Sequence, residues 1–306
     1  MESVTSKNQD IQKESRGKYL LAAFLAPIIW GFMPIAVRKV QHFPAEDILY
    51  YRILTAFGIL LAFIFFFRRK SLLKDIAYIR NLPHPAKKRL ISLFIISSLL
   101  IFGNWYAYIY TINKISVQAA VFGYMLCPLI TTFAAFFILK ETLTKRKWIA
   151  LIIAAISVYM LSTGSLIEVI WAISIGGLYA FYLISGRLIQ GIDKLNLLAI
   201  QLFCCLFILI PRLIYNGNPI PTEPIFWNIS LLLAVIFTII PLFFSMYALN
   251  RISSSTVGIL LYVNPVIAFS VAIGYFNEVV DPHKYWAYAI LVVAIILFNS
   301  EQLKRK

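Results

Sequence analysis

Charge is what this sequence has least of. Only 13% of its 306 residues are Asp, Glu, Lys or Arg, whereas 61% are hydrophobic. Soluble domains carry about 25% charged residues, and a soluble chain could not cover this much apolar surface with half of that. The three cysteines, Cys127, Cys204 and Cys205, lie inside apolar runs, which excludes a secreted disulfide scaffold and fits no metal-site spacing. The three histidines, His42, His84 and His283, fall in loops or at the edges of apolar runs, and no H-E-x-x-H occurs. No G-x-x-x-x-G-K-[ST] loop occurs either, so ATP is not the energy source. The polar constellations of phosphatases, transferases and proteases are missing, so the chain reads as no enzyme and as needing no cofactor or metal. Residues 1–16 hold no apolar core and no cleavage motif, and read as a short cytosolic tail rather than a signal peptide.

Long apolar runs are present in excess, and the mean hydropathy is +0.82. Spans fall near 19–37, 48–67, 90–112, 115–139, 148–164, 166–188, 195–214, 226–249, 253–276 and 285–299. Each approaches the ~20 residues that cross a bilayer as a helix. The expected class is therefore an all-α integral membrane protein with ten transmembrane helices. Its 13 prolines and 13 glycines are compatible with that class, because neighbouring helices re-satisfy the backbone groups a kink frees.

The 28 basic residues are distributed unevenly. With Arg52 set aside inside span two, 22 fall in the two tails and in the loops after the even-numbered spans, and five fall on the other side. The positive-inside rule then places both termini in the cytoplasm. The net charge of +15 faces anionic lipid at the cytosolic surface and calls for no nucleic-acid partner. In the basic segment 68–89, Leu72, Ile76 and Ile79 recur at helical spacing, which predicts an amphipathic helix at the membrane interface, ended by Pro83 and Pro85.

Residues 110–141 align without a gap on 247–278, with eight of 32 positions identical. Asn113 falls on Asn250, Ser116 on Ser253, Pro128 on Pro265 and Glu141 on Glu278. The chain divides accordingly into a tail 1–16, halves 17–163 and 164–300, and a basic tail 301–306. Each half holds five spans. Five is odd, so the second half enters the membrane from the opposite side, giving two inverted-topology repeats. In that design two bundles rock about a shared midplane site, the basis of alternating access.

Several motifs carry a resemblance: YYR at 50–52, NW at 104–105, Tyr108 with Asn113, FGYMLCPL at 122–129, LKET at 139–142 and GILLYVNP at 258–265. With them, the chain from about residue 17 to 300 resembles EamA-domain transporters of the drug/metabolite transporter superfamily, in its RarD-like branch. The resemblance implies a secondary transporter of a small organic metabolite or drug-like solute in a bacterial cytoplasmic membrane. Export is the expected direction. A non-saturable pore or a structural helical protein is the competing reading, and the oligomeric state is left open.

Arg52 is the sharpest single signal. It lies about five residues into span two, roughly 7 Å deep, with no acid three or four residues away. Two readings follow: binding of a substrate carboxylate, or structural pairing and snorkelling to the interface. Asn104, Tyr108 and Thr111 form one polar stripe on span three beside Trp105, either as glue between helices or as a cavity wall. Tyr124 and Pro128 share a face of span four, with Tyr262, Asn264 and Pro265 as counterparts; the two prolines are hinge candidates. Trp30, Phe32, Tyr179 and Tyr182 come from spans one and six, which in the family face the central cavity. Glu141 and Glu278 are helix-end anchors or gate ion pairs. The acidic residues lie at span ends, tails and loops, which argues against a simple carboxylate proton relay.

Overall fold

A chain in lipid must pair its own N–H and C=O groups, and wherever the sequence runs uncharged the described backbone is helical. The computed structural model describes residues 2–40, 42–115, 117–161, 166–216, 219–277 and 282–304, and no strand occurs among them. In chain order the helices are α1 (Glu2–Gly31), α2 (Met33–Arg38), α3 (Ala45–Phe67), α4 (Arg69–Asn81), α5 (His84–Lys114), α6 (Val117–Ile138) and α7 (Lys145–Leu161). There follow α8 (Leu166–Leu188), α9 (Lys194–Asn216), α10 (Pro224–Ala234), a π turn (Val235–Ile239), α11 (Ile240–Ala248), α12 (Ser254–Leu260), α13 (Val263–Gly274) and α14 (Pro282–Lys304).

Six helical stretches among the described residues are long and apolar enough to cross a membrane: Gly17–Arg38, Glu46–Phe67, His84–Tyr108, Leu166–Leu188, Lys194–Pro211 and Pro224–Ala248. Three shorter apolar stretches join them, Phe122–Ile138, Ser254–Ala268 and Tyr285–Phe298. Large apolar side chains such as Phe66, Tyr159, Ile170, Phe207 and Ile296 face outward. Serines, threonines and amides such as Ser97, Asn104, Thr131, Ser157 and Gln201 are buried. That distribution suits hydrocarbon as the solvent, and the chain is a multi-pass membrane protein.

Three predicted spans are interrupted, each beside a proline. Pro34 lies just past the break at Phe32 between α1 and α2. Pro241 follows the π turn. Pro265 has no N–H for the Leu261 carbonyl, which instead accepts from Asn264 N at 3.0 Å, and the helix breaks at Leu261–Tyr262. Pro128, its partner in the repeat, sits inside the unbroken α6.

The helices pack in a small set of pairs. The main ones are α6 with α8, α5 with α8, α1 with α11, α1 with α13, α6 with α12, α7 with α14, α3 with α9, α5 with α9 and α3 with α10. Three crossings depend on glycine, one of them where a Cβ on Gly258 of α12 would stand 2.9 Å from the side chain of Thr131 on α6. A Cβ on Gly176 of α8 would stand 2.6 Å from the Gly123 carbonyl of α6. A Cβ on Gly31 of α1 would stand 2.6 Å from the side chain of Ile267 on α13. Backbones approach closely at these points because no side chain intervenes.

The predicted amphipathic helix is α4, which ends at Asn81, just before Pro83; the remainder of the segment 68–89 forms the first turns of α5. Leu72 and Ile79 pack on the core. Asp75, on the same helix, is 6% exposed. It accepts from Asp193 N at 3.0 Å and from Asn196 Nδ2 at 2.6 Å, and Arg68 pairs with Asp193 at 2.6 Å. The helix is thus pinned to the α8–α9 connection by buried polar contacts, not by lipid alone.

Candidate functional site

The interruptions matter because they surround a cavity. It has a volume of about 260 Å³. Arg52 is its cation, and no Asp or Glu is among the described residues that line it. An aromatic wall runs from Tyr108 to Tyr124 (ring centres 5.2 Å apart), on to Tyr179 (6.0 Å) and then to Trp30 (6.0 Å, edge to face). Trp105, Asn264 and Pro265 complete the predicted residues found there.

Arg52 stands seven residues after the start of α3, about 10 Å along it, and it turns inward rather than up to the interface. Its Cζ lies 5.1 Å from the centre of the Trp105 ring, a cation–π contact. Nη1 is 4.0 Å from Met33 Sδ, a weak acceptor at long range. Nε is buried with no hydrogen-bond partner.

The polar stripe of span three divides between wall and support. Tyr108 lines the cavity. Asn104 is fully buried behind it and acts as a clamp: its Nδ2 donates to Ile175 O of α8 at 2.9 Å, and its Oδ1 accepts from Tyr124 Oη at 2.8 Å. Thr111 bonds back to Ala107 O. Asn104 therefore joins α5, α6 and α8 and fixes the Tyr124 ring in the wall.

Other predicted residues lie outside the lining. Tyr182 points away and donates to Gln201 Oε1 at 3.3 Å, and Gln201 Nε2 in turn donates to Ser97 Oγ at 2.9 Å. Tyr262 is fully buried, and its hydroxyl has no hydrogen-bond partner. Pro128 is buried in α6. Glu141 caps α12: Oε1 accepts from Ser254 N at 2.8 Å, and Oε2 accepts from Ser255 N at 3.1 Å and from Ser255 Oγ at 2.5 Å. Glu278 lies outside the described residues.

Sequence reasoning missed Met33, Leu233 and Phe237, which also line the cavity. Pro34 and Pro241 were the available signals. Pro241 has no N–H to offer the carbonyl of Phe237 four residues earlier, and Trp30 Nε1 donates to that carbonyl at 2.9 Å. The indole is thereby fixed at the cavity edge by a defect in a helix of the other half.

Toward the other end of α6, contacts join segments distant in sequence: besides the Glu141 cap, the guanidinium of Arg187 donates to Leu249 O. Lys194 Nζ donates to Ile189 O at 2.9 Å within the α8–α9 connection. Along α6, Tyr124 at the cavity and Ile138 at the helix end are about 21 Å apart by helix rise.

Known proteins share this architecture. The model of the EamA-like transporter family matches residues 17–163 and again 166–300. Protein RarD of Escherichia coli (strain K12) is 28% identical over 303 residues, covering 95% of this chain and 96% of that protein. The uncharacterized transporter YojE of Bacillus subtilis (strain 168) is 29% identical over 285 residues, covering 91% and 92%. One solved crystal structure superposes with a TM-score of 0.72 at 16% identity, over 94% of this chain and 99% of that one, which speaks for the fold alone. On the strength of two family matches that together span nearly its whole length, the chain belongs to the EamA-like transporter family, in the RarD-like branch.

Proposed function

We propose that this protein is a secondary transporter that moves a small organic solute outward across the bacterial cytoplasmic membrane by alternating access. In this reading ten spans form two inverted five-helix repeats, 17–163 and 164–300, and both termini are cytoplasmic. Spans one to ten are then α1–α2, α3, α5, α6, α7, α8, α9, α10–α11, α12–α13 and α14.

One observation carries the reading. The cavity is bounded by three pairs of spans that the repeat makes equivalent, one and six, three and eight, four and nine, together with span two, which carries Arg52 and whose counterpart, span seven, does not line it. The packing scheme supports it as well, since exchanging each span with the one five positions away returns the main helix pairs. The α6–α8 pair exchanges with α1–α13, α5–α8 with α1–α11, and α5–α9 with α3–α10, while α3–α9, α6–α12 and α7–α14 map onto themselves. Two bundles built on one plan and facing opposite ways have two related arrangements available, one open to each side. The seal around Glu141, Ser254 and Ser255 is then the cytoplasmic gate in its closed state. A volume of about 260 Å³ is below the ~300–1,000 Å³ of pockets for drug-sized ligands, so the solute is small.

The test is counterflow in proteoliposomes preloaded with a pooled metabolite library. A carrier gives saturable, counter-transported uptake, whereas linear, non-saturable leakage favours a pore. Topology is checked separately with cysteines placed at the exposed Thr144 and Thr222. The inverted arrangement predicts labelling of Thr144→Cys from the cytoplasm and of Thr222→Cys from outside.

A further inference from the structure

The guanidinium of Arg52 offers five N–H donors and no acceptor. Within the fold it meets an aromatic face at Trp105 and a thioether at Met33, and Nε meets nothing. No carboxylate lines the cavity: none of the residues that α1, α2, α3, α5, α6, α8, the α10–π–α11 segment and α12–α13 contribute to its described lining is an Asp or Glu. An ion in apolar surroundings is costly unless it is paired. A structural arginine would be expected to bring its own counter-ion, as Arg68 does with Asp193.

The geometry around the charge is specific. The Trp105 contact holds the guanidinium while leaving its hydrogen-bonding edges open, and a planar guanidinium matches a carboxylate in a two-point bond that an ammonium cannot form. Apart from Asn264 and the tyrosine hydroxyls, the rest of the wall is apolar and aromatic, with Trp30, Tyr179, Leu233, Phe237 and Leu242 as its main surface. One positive charge is balanced by one negative charge. A phosphate monoester, with about −1.5 to −2 at neutral pH, would leave the site net negative.

We infer that Arg52 is the anion-binding group of this cavity, and that the solute is a small organic acid with its carboxylate on Arg52 and its apolar body against the Trp30–Tyr179 wall. This assignment rests on the carrier reading above and names the substrate class for it.

The full-length protein, purified in detergent, is titrated with phenylacetate, hydrocinnamate and isovalerate, each beside its own amide and amine, and with phenyl phosphate. Thermal stabilisation and tryptophan quenching report binding. At least one carboxylate binds tenfold or more tightly than its amide and amine, and more tightly than phenyl phosphate. Arg52→Gln loses that tenfold preference, and Arg52→Lys retains part of it. The assignment is overturned if no carboxylate exceeds its amide tenfold, if the amines or phenyl phosphate bind best, or if Arg52→Gln keeps the preference. Should Arg52→Gln fail to fold, the comparison of ligands on the unaltered protein decides alone. Failed counterflow with carboxylate binding intact sinks the carrier reading and spares this one. Saturable counterflow of neutral or cationic solutes only does the reverse.

Discussion

Glu141 and Ser255 lie 114 residues apart in sequence and are joined by two hydrogen bonds, at 2.5 Å to the hydroxyl and 3.1 Å to the backbone N–H. With Ser254 N at 2.8 Å, one carboxylate from the first half satisfies two of the orphan donors that begin α12 in the second. The helix dipole favours a negative charge at that end. Hydrogen bonds to a charged group contribute about 1.5–3 kcal/mol each. Glu141→Ala is expected to destabilise the closed arrangement by about 2–3 kcal/mol, seen as a lower melting temperature. A cycle with Ser255→Ala should give a coupling of about 1 kcal/mol or more, and additive effects would show that the two do not act together.

The second prediction concerns Trp30 and a residue it does not bond. Trp30 donates to Phe237 O because Pro241 has no N–H to give. Trp30→Phe removes the donor and should cost about 1–2 kcal/mol. In a Pro241→Ala background the helix supplies its own donor, so the same change should cost clearly less. Equal costs in both backgrounds would separate the indole bond from the proline.

Two adjacent glycines should behave oppositely. A Cβ on Gly176 meets the Gly123 carbonyl at 2.6 Å, whereas one on Gly177 meets nothing within 4 Å. Gly176→Ala is expected to push α6 and α8 apart at about 1–3 kcal/mol. Gly177→Ala should be neutral or stabilising by up to about 1 kcal/mol through helix propensity. Melting temperature and yield of folded protein from membranes measure both.

Asp75 tethers α4 to the α8–α9 connection through Asp193 N and Asn196 Nδ2. Asp75→Ala strands two donors and should cost about 1–3 kcal/mol. The local readout is limited trypsin digestion: faster cleavage at Lys70, Lys74 and Arg80 is expected, with the other sites unchanged. Unaltered cleavage would mean that Leu72 and Ile79 hold the helix by themselves.

The membrane class was legible in composition, since 61% apolar residues can be accommodated only in lipid. The predicted spans coincide with helices because hydropathy selects for them directly. Tyr108, Tyr124 and Tyr179 line the cavity, although the sequence left Tyr108, like Asn104, open between helix glue and cavity wall. Asn104 was an open choice between glue and lining, and periodicity could not decide it: one face of α5 meets both the cavity and α8. Tyr182 looked equivalent to Tyr179, yet three residues around a helix turned it toward Gln201.

The sequence by itself determined the all-helical membrane class, where the long apolar runs fall, and that a cation lies within one of them. These are properties of local composition and spacing, and each can be read one segment at a time. Only the tertiary structure decided what Arg52 faces, that Glu141 caps a helix 113 residues away, and that Trp30 repairs a proline's defect in another helix. The reason is that a side chain's partner depends on the rotation and crossing of two helices, which close contacts between residues far apart in sequence, such as those at Gly31, Gly176 and Gly258, constrain and no pattern along one segment reveals.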